Sequence, residues 1–131
     1  MMNNGLNAYQ QAKTQAQAAA ASPHRLILML LDGLLDNLTR ARGFMERGQV
    51  EQKGQMITKC LDILQGLSAI LDMEKGGEVA TELYRLYDYC GRRLFEANAQ
   101  NSIEMVDEVS GLISEIREGW LALHPSKVTG Q

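Results

Sequence analysis

The chain of 131 residues is long enough to bury one hydrophobic core, and its hydrophobic fraction of 45% and charged fraction of 22% are typical of a soluble single domain. A formal net charge of −3 leaves no broad cationic surface to neutralise phosphates, so nucleic acid and anionic membranes are disfavoured as main partners. The chain contains two prolines, and this scarcity of helix breakers favours helices.

Cysteine usage and the apolar runs predict a cytoplasmic protein. Cys60 and Cys90 lie in apolar periodic segments without CxxC spacing, which is typical of reduced core residues. The longest apolar run, from Leu26 to Leu31, is much shorter than the roughly 20 residues that a transmembrane helix requires. The N-terminus lacks the basic and Leu-rich regions of a secretory signal. We therefore expect no membrane insertion.

Residues 1–21 are rich in Asn, Gln and Ala, and Leu6 and Tyr9 are their sizeable hydrophobic side chains after the initiating methionines. Because no apolar stripe is sustained, we expect a mobile or weakly helical N-terminal arm. Ser22 and Pro23 then supply an N-cap and a first helical residue, which predicts that a helix begins there.

Four segments after the arm repeat apolar residues at spacings of three and four, the period of an amphipathic helix. Glycine breaks are expected at Gly48 and over the run from Lys75 to Gly77. The pattern predicts helices from Pro23 to about Arg47, from Val50 to Met73, from Glu78 to Ala97, and from a capping box at Asn101 and Glu104 to His124 and Pro125. The predicted inward stripes are Ile27, Leu31, Leu34, Leu38, Ala41 and Met45, then Ile57, Cys60, Leu64, Leu67 and Leu71, then Leu83, Tyr87, Cys90, Leu94 and Ala97, and finally Val106, Val109, Ile113, Ile116, Trp120 and Leu123.

The connections between these helices are short, so sequential helices must run antiparallel. The expected fold class is all-α, an antiparallel up-down four-helix bundle over residues 22–124. The mobile arm, residues 1–21, precedes the bundle, and a C-terminal tail, residues 125–131, follows it.

The sequence contains no pattern that predicts catalysis. A di-iron bundle requires Glu-x-x-His pairs, but the two histidines, His24 and His124, lie at predicted helix ends, where a solvated or capping role is expected. A phosphorelay histidine would lie exposed in the middle of a helix, whereas His24 lies in the first turn of a predicted helix. The glycines at Gly76 and Gly77 lack the frame of a phosphate-binding loop. We therefore predict no enzyme, no catalytic residue, no metal site and no cofactor.

Apolar side chains beyond the core stripes are the remaining feature. One interpretation is a thick core whose flanking residues are covered by long polar side chains. We favour a groove for an amphipathic helix of a partner, because such helices bind through apolar anchors spaced three, four and seven residues apart. The arm is expected to fold over the same groove or to fray. The candidate client-binding residues are Leu6, Tyr9, Leu28, Met56, Ile63, Ile70, Leu86 and Tyr89.

Five blocks along the chain carry a family resemblance. They are GLNAYQQ at Gly5–Gln11, ASPHRLI at Ala21–Ile27 with its continuation to Gly33, MEKGGEVA at Met73–Ala80, LYDY followed by RRL at Leu86–Leu94, and the stretch Gly111–Trp120. In this order they resemble the flagellin-specific export chaperones of the FliS family, over nearly the whole chain. Leu6 and Tyr9 match the apolar and tyrosine positions of the family's N-terminal motif, which is implicated in the client interface.

The resemblance implies a helical bundle that binds the disordered C-terminal region of flagellin in the cytoplasm and prevents its premature polymerisation. It also implies delivery of flagellin to the flagellar type III export apparatus, whose components are further expected partners. Whether the arm competes with the client or clamps it stays open. The alternative is a homo-oligomeric helical regulatory or adaptor protein without a flagellin client, in which the spare apolar surface packs against a second copy.

Overall fold

The computed structural model describes residues 22–123, which form four α-helices. They are α1 (Pro23–Glu46), α2 (Val50–Ala69), α3 (Met73–Gln100) and α4 (Ile103–Ala122). The predicted all-helical bundle is therefore confirmed for this part of the chain. The predicted arm with Leu6 and Tyr9, and the predicted end at His124 and Pro125 with its tail, lie outside the described residues.

The helices pack in a square, in which α1 and α3 each contact both α2 and α4. Two ion pairs show that α1 and α4 are antiparallel: Arg42, late in α1, pairs with Asp107, early in α4, and Asp32 pairs with Arg117 near the end of α4. The core lies along the axis of the square. Its largest fully buried side chains are Leu31, Leu34, Leu38, Ile57, Leu67, Leu94, Ile113, Val106, Val109, Cys60 and Cys90.

The start of α1 follows the prediction. The side-chain oxygen of Ser22 accepts a hydrogen bond from the backbone N–H of Arg25 at 3.2 Å, and Pro23 is the first helical residue. At the other end, α1 stops at Glu46, one residue before the predicted boundary, and Gly48 turns the chain with a φ of 69°. Glycine reaches this left-handed region without steric cost.

The predicted junction between the second and third helices is wrong. Helix α2 ends at Ala69 rather than Met73, and α3 begins at Met73 rather than Glu78. The Asp72 carboxylate caps α3 by accepting hydrogen bonds from the N–H groups of Glu74 and Lys75, at 3.1 and 3.0 Å. The glycine break expected between the helices is instead a kink inside α3, where Gly77 has φ 52° and ψ −126°.

The predicted capping box at Asn101 and Glu104 is also wrong. Asn101 ends α3 in the left-handed conformation, with φ 52°, which asparagine tolerates better than most residues. Ser102 is the N-cap of α4, and its hydroxyl oxygen accepts a hydrogen bond from the N–H of Met105 at 3.2 Å. Asn101 and Ser102 are adjacent short polar residues, and in the structure Asn101 ends α3 whereas Ser102 caps the start of α4.

Most predicted stripe residues are buried. Leu123 is an exception, since it lies past the end of α4 with 46% of its surface exposed. Leu26, Leu30 and Ile63 join the core although they lie off the predicted stripes. The predicted stripe residues that are half-buried and pack against the core are Ile27, Leu71, Leu83, Ile116 and Trp120.

The expectation of a solvated or capping His24 is wrong. His24 is buried, and its ring stacks on that of Trp120 with centroids 5.5 Å apart. The His24 Nε2 lies 2.8 Å from the Trp120 carbonyl oxygen, and because a carbonyl only accepts, Nε2 carries the donated proton. In return, Trp120 Nε1 donates to the His24 carbonyl oxygen at 3.0 Å. This reciprocal contact ties the start of α1 to the end of α4.

Lys53 is a buried cation at the opposite end of the bundle. Its ammonium group donates to the carbonyl oxygen of Asn98 at 3.0 Å and to Asn101 Oδ1 at 3.3 Å. Asn98 belongs to the last turn of α3 and Asn101 is its C-cap, and the unpaired carbonyls at this end of the helix favour a positive charge. Lys53 therefore joins the start of α2 to the end of α3.

Candidate functional site

Most of the large hydrophobic side chains exposed on the described residues belong to α3. Val79, Tyr84 and Phe95 are 67%, 52% and 72% exposed, and Met73 and Tyr89 are exposed as well. Along a helix, Val79 and Tyr89 fall on one side of the buried residue Tyr87, whereas Tyr84 and Phe95 fall on the other. The buried stripe of α3 is therefore flanked by apolar side chains on both sides.

One flank of α3 forms an open hollow of about 570 Å³, here called the first groove. This flank faces α4, because the Tyr89 hydroxyl donates a hydrogen bond to the Glu108 carboxylate of α4. The apolar lining recurs at intervals of three and four residues, as on one face of a helix. The lining residues are Glu78, Val79, Glu82, Leu83, Arg85, Leu86 and Tyr89.

The charged residues of the first groove lie at its rim. Arg85 pairs with Glu82 at 3.3 Å, one turn apart on the exposed surface of α3. Glu78 and Glu82 against Arg85 give the lining a net charge of −1. The groove therefore combines an apolar floor with a weakly acidic rim, which suits an amphipathic helix that has a basic residue beside its apolar face.

The other flank of α3 forms a second groove, of about 410 Å³, against α2. Its charged pair, Asp88 and Arg92, forms an ion pair at 2.8 Å, so its rim is neutral overall. The lining residues are Leu61, Leu64, Gln65 and Ser68 of α2, and Tyr84, Tyr87, Asp88, Gly91, Arg92 and Phe95 of α3.

Tyr89 lies at one end of the first groove and forms a polar cluster with Arg93 and Glu108. Arg93 donates to Glu108 Oε1 from Nε at 2.9 Å, and its Nη2 lies 2.8 Å from the same oxygen. The Arg93 guanidinium carbon also lies 6.0 Å from the centre of the Tyr89 ring. The hydrogen bonds from Tyr89 and Arg93 lower the pKa of Glu108, and the bond to Glu108 raises the pKa of Tyr89. The carboxylate therefore stays ionised and the phenol stays protonated near neutral pH.

The structure brings two of the predicted client-binding residues together, since Leu86 and Tyr89 both line the first groove. Ile63 lies in the core with 8% exposure, and a Cβ on Gly33 of α1 would be 3.8 Å from its Cδ1. The face of α2 that carries Ile63 therefore packs toward α1. Leu28 is half-buried and lies one turn before Asp32, which pairs with Arg117 of α4.

Met56 and Ile70 are half-buried against the core, and Leu6 and Tyr9 lie outside the described residues. The client-binding role of all eight candidates stays a prediction. Val79, Tyr84 and Phe95 were not among them, although the interval of seven residues from Val79 to Leu86 marks one helical face.

The two cysteines, Cys60 and Cys90, are protected by burial. Burial raises the pKa of the Cys60 thiol to about 12 and that of Cys90 to about 11, so both are protonated and unreactive near neutral pH. Within residues 22–123, no group of three or more His, Cys, Asp or Glu side chains is placed to hold a metal ion. No helix in this range is long and apolar enough to cross a bilayer.

Comparison with known proteins matches residues 5–127 to the family described as flagellar protein FliS. The flagellar secretion chaperone FliS of Salmonella typhimurium is 47% identical over 123 residues, which cover 93% of this chain and 91% of the relative. The flagellar secretion chaperone FliSB of Pseudomonas aeruginosa is 49% identical over 112 residues, covering 86% and 89%. The FliS protein of Vibrio cholerae is 36% identical over 124 residues, covering 95% and 91%.

Proposed function

We propose that this chain, which belongs to the flagellar protein FliS family, is an export chaperone for flagellin. It binds the disordered C-terminal region of flagellin in the cytoplasm, blocks premature polymerisation and assists delivery to the flagellar type III export apparatus. Its relatives carry the name flagellar secretion chaperone, which supports a chaperone role rather than an enzymatic one.

The first groove is the observation that carries this proposal. It offers a row of apolar side chains at helical spacing, from Val79 through Leu83 and Leu86 to Tyr89. A client segment that becomes helical on binding buries its apolar face against this row and removes both surfaces from water. The same burial hides the client surface that would otherwise self-associate, and this requires neither ATP nor a reactive group.

The free-energy cost of ordering the client weakens the complex enough to allow its release. Ordering a disordered segment offsets roughly 2 to 5 kcal/mol of the interaction energy. The complex is therefore weaker than its buried area alone predicts, which suits a chaperone that must hand its client to the export apparatus. Leu6 and Tyr9 match the family's N-terminal motif, which is implicated in the client interface, and we propose that they contact the client as well.

Calorimetry of the full chain with a peptide from the C-terminal region of flagellin tests the proposal. We expect a negative heat-capacity change together with a gain of helix by circular dichroism. Leu86→Ala should weaken binding about tenfold or more, because Leu86 is a central groove side chain. Val50→Ala is the matched control, since Val50 is 69% exposed and lines neither groove.

The outcomes separate the alternatives. No heat-capacity change and no helix gain with the wild-type chain would refute flagellin binding. Equal losses for Leu86→Ala and Val50→Ala would place the client elsewhere, and a loss for Tyr84→Ala alone would move it to the second groove. Sedimentation of the chain without peptide tests the homo-oligomer, because in that case the exposed apolar side chains of α3 pack against a second copy.

A further inference from the structure

Glu108 does not line the first groove, yet it contacts the aromatic side chain at one end of it. Its side chain is 36% exposed and extends from α4, where it accepts hydrogen bonds from Tyr89 and Arg93 of α3. Tyr89 and Arg93 are one helical turn apart, so both reach the same carboxylate from one face of α3. The cluster thus crosses the α3–α4 boundary at the end of the groove.

Tyr89 without this acceptor would be a partly exposed ring on a helix surface, free to exchange between rotamers. Hydrogen bonds to an ionised carboxylate are shorter and stronger than neutral ones. Arg93 positions Glu108 with two contacts to Oε1. The hydroxyl end of Tyr89 is thereby restrained, and its side chain forms a wall at one end of the groove.

We infer that Glu108, held by Arg93, is a positioning residue that orders Tyr89 before the client helix arrives. This inference rests on the proposed function, because it assigns a role within the same client-binding groove. The client then meets a wall that is already in place, and binding does not carry the entropy cost of ordering the ring. Glu108 acts through Tyr89 and touches no client side chain.

Two variants test the positioning role by calorimetry with the flagellin C-terminal peptide. Tyr89→Phe keeps the ring and removes the hydroxyl, and Glu108→Ala removes the acceptor. Each should weaken binding about three- to tenfold, the range expected for leaving one side chain unrestrained. The double variant should be no weaker than either single variant, because both substitutions break the same hydrogen bond.

Asp107→Ala is the matched control for Glu108→Ala. Asp107 is the neighbouring carboxylate on α4, and it pairs with Arg42 of α1 rather than with α3. Both substitutions remove an α4 carboxylate from an interhelical ion pair, so a merely structural role predicts similar effects on thermal stability and on Kd. The positioning role predicts that client Kd changes for Glu108→Ala alone.

The ring resonances of Tyr89 give a readout independent of stability. With labelled tyrosine and assignment by Tyr89→Phe, the free Glu108→Ala chain should show a shift of the Tyr89 signal toward its value in an unrestrained ring, whereas Asp107→Ala should not. Wild-type Kd values for Tyr89→Phe would overturn the inference even if Glu108→Ala fails to fold, as would equal losses for Asp107→Ala and Glu108→Ala. Failure of the wild-type chain to bind the peptide would instead refute the proposed function.

Discussion

The two ends of the bundle are built in different ways. At one end, here called the capped end, α1 meets α2 and α3 meets α4, and the buried Lys53 ammonium bonds to the last turn of α3. At the other, the open end, α3 begins with a capped turn and a kink at Gly77. Four exposed large hydrophobic residues of the described chain lie at the open end: Met73, Val79, Leu121 and Leu123.

The same difference divides α3 into a well-buried half and a loosely covered half. Past Tyr87, the buried residues of α3 are Cys90, Leu94 and Ala97, whereas Ala80 is the buried residue before it. The first groove lies in the loosely covered half, between Glu78 and Tyr89. The buried residues past Tyr87 anchor α3, so its first half can stay uncovered without unfolding the helix.

The largest expected effect on stability comes from truncating a buried leucine of α3, and a leucine in the other half of the helix provides the comparison. Leu94→Ala should lower the free energy of unfolding by about 2 to 5 kcal/mol, because Leu94 is fully buried and its loss leaves a cavity. Leu86→Ala should cost less than half as much, since Leu86 is half-buried in the groove. Urea unfolding followed by circular dichroism measures both. Equal losses would contradict the division of α3.

Removing the buried cation tests the capped end. Lys53→Met should lower the free energy of unfolding by about 1 to 3 kcal/mol, because the Asn98 carbonyl and the Asn101 side chain lose a charged donor. Lys59→Met is the control, as Lys59 is an exposed lysine on the same helix. If the two variants unfold at the same urea concentration, the ammonium group does not stabilise this end.

Two glycine substitutions test the kink at the open end of the bundle. Gly77→Ala should destabilise the chain by about 1 to 3 kcal/mol, because φ 52° with ψ −126° is strained for any residue with a Cβ. Gly54→Ala should instead stabilise it by about 0.5 to 1 kcal/mol, since Gly54 lies inside α2 with no atom within 4 Å of an added Cβ. Thermal unfolding distinguishes the signs. A stabilising Gly77→Ala would show that α3 runs straight through this position at little cost.

The smallest loss of stability is expected where α1 and α4 meet at the open end. His24→Phe keeps an aromatic ring against Trp120 and removes the hydrogen bond to the Trp120 carbonyl, which should cost about 0.5 to 1.5 kcal/mol. Trp120 is the single tryptophan, so its fluorescence reports this contact. An emission spectrum and unfolding midpoint identical to those of the wild-type chain would contradict the hydrogen bond from the His24 ring to the Trp120 carbonyl.

Local sequence patterns predicted much of the fold because they describe interactions within one helix. Ser22 and Pro23 mark the start of α1 by capping chemistry, and Gly48 marks the turn after it. The same reasoning failed where two residues competed for one role. Asp72, rather than the glycine pair Gly76 and Gly77, marks the start of α3, and Ser102 rather than Asn101 caps α4.

The candidate site was only partly predictable, because a helical pattern identifies apolar faces but not the neighbours that cover them. Leu86 and Ile63 both lie beside a core stripe in the sequence. The packing of α2 against α1 buried Ile63, while the first groove left Leu86 accessible. No spacing rule distinguishes these two positions.

The sequence by itself determined an all-helical bundle, its approximate helices and most of its core, because helical periodicity and capping act over a few residues. The resemblance of its motifs also identified the family. Only the tertiary structure decided which polar groups are buried and which apolar flanks stay exposed. Lys53, His24 and Glu108 acquire their roles from partners 45, 96 and 15 to 19 positions away in the chain. Contacts over such separations depend on how the helices pack, which no local pattern encodes.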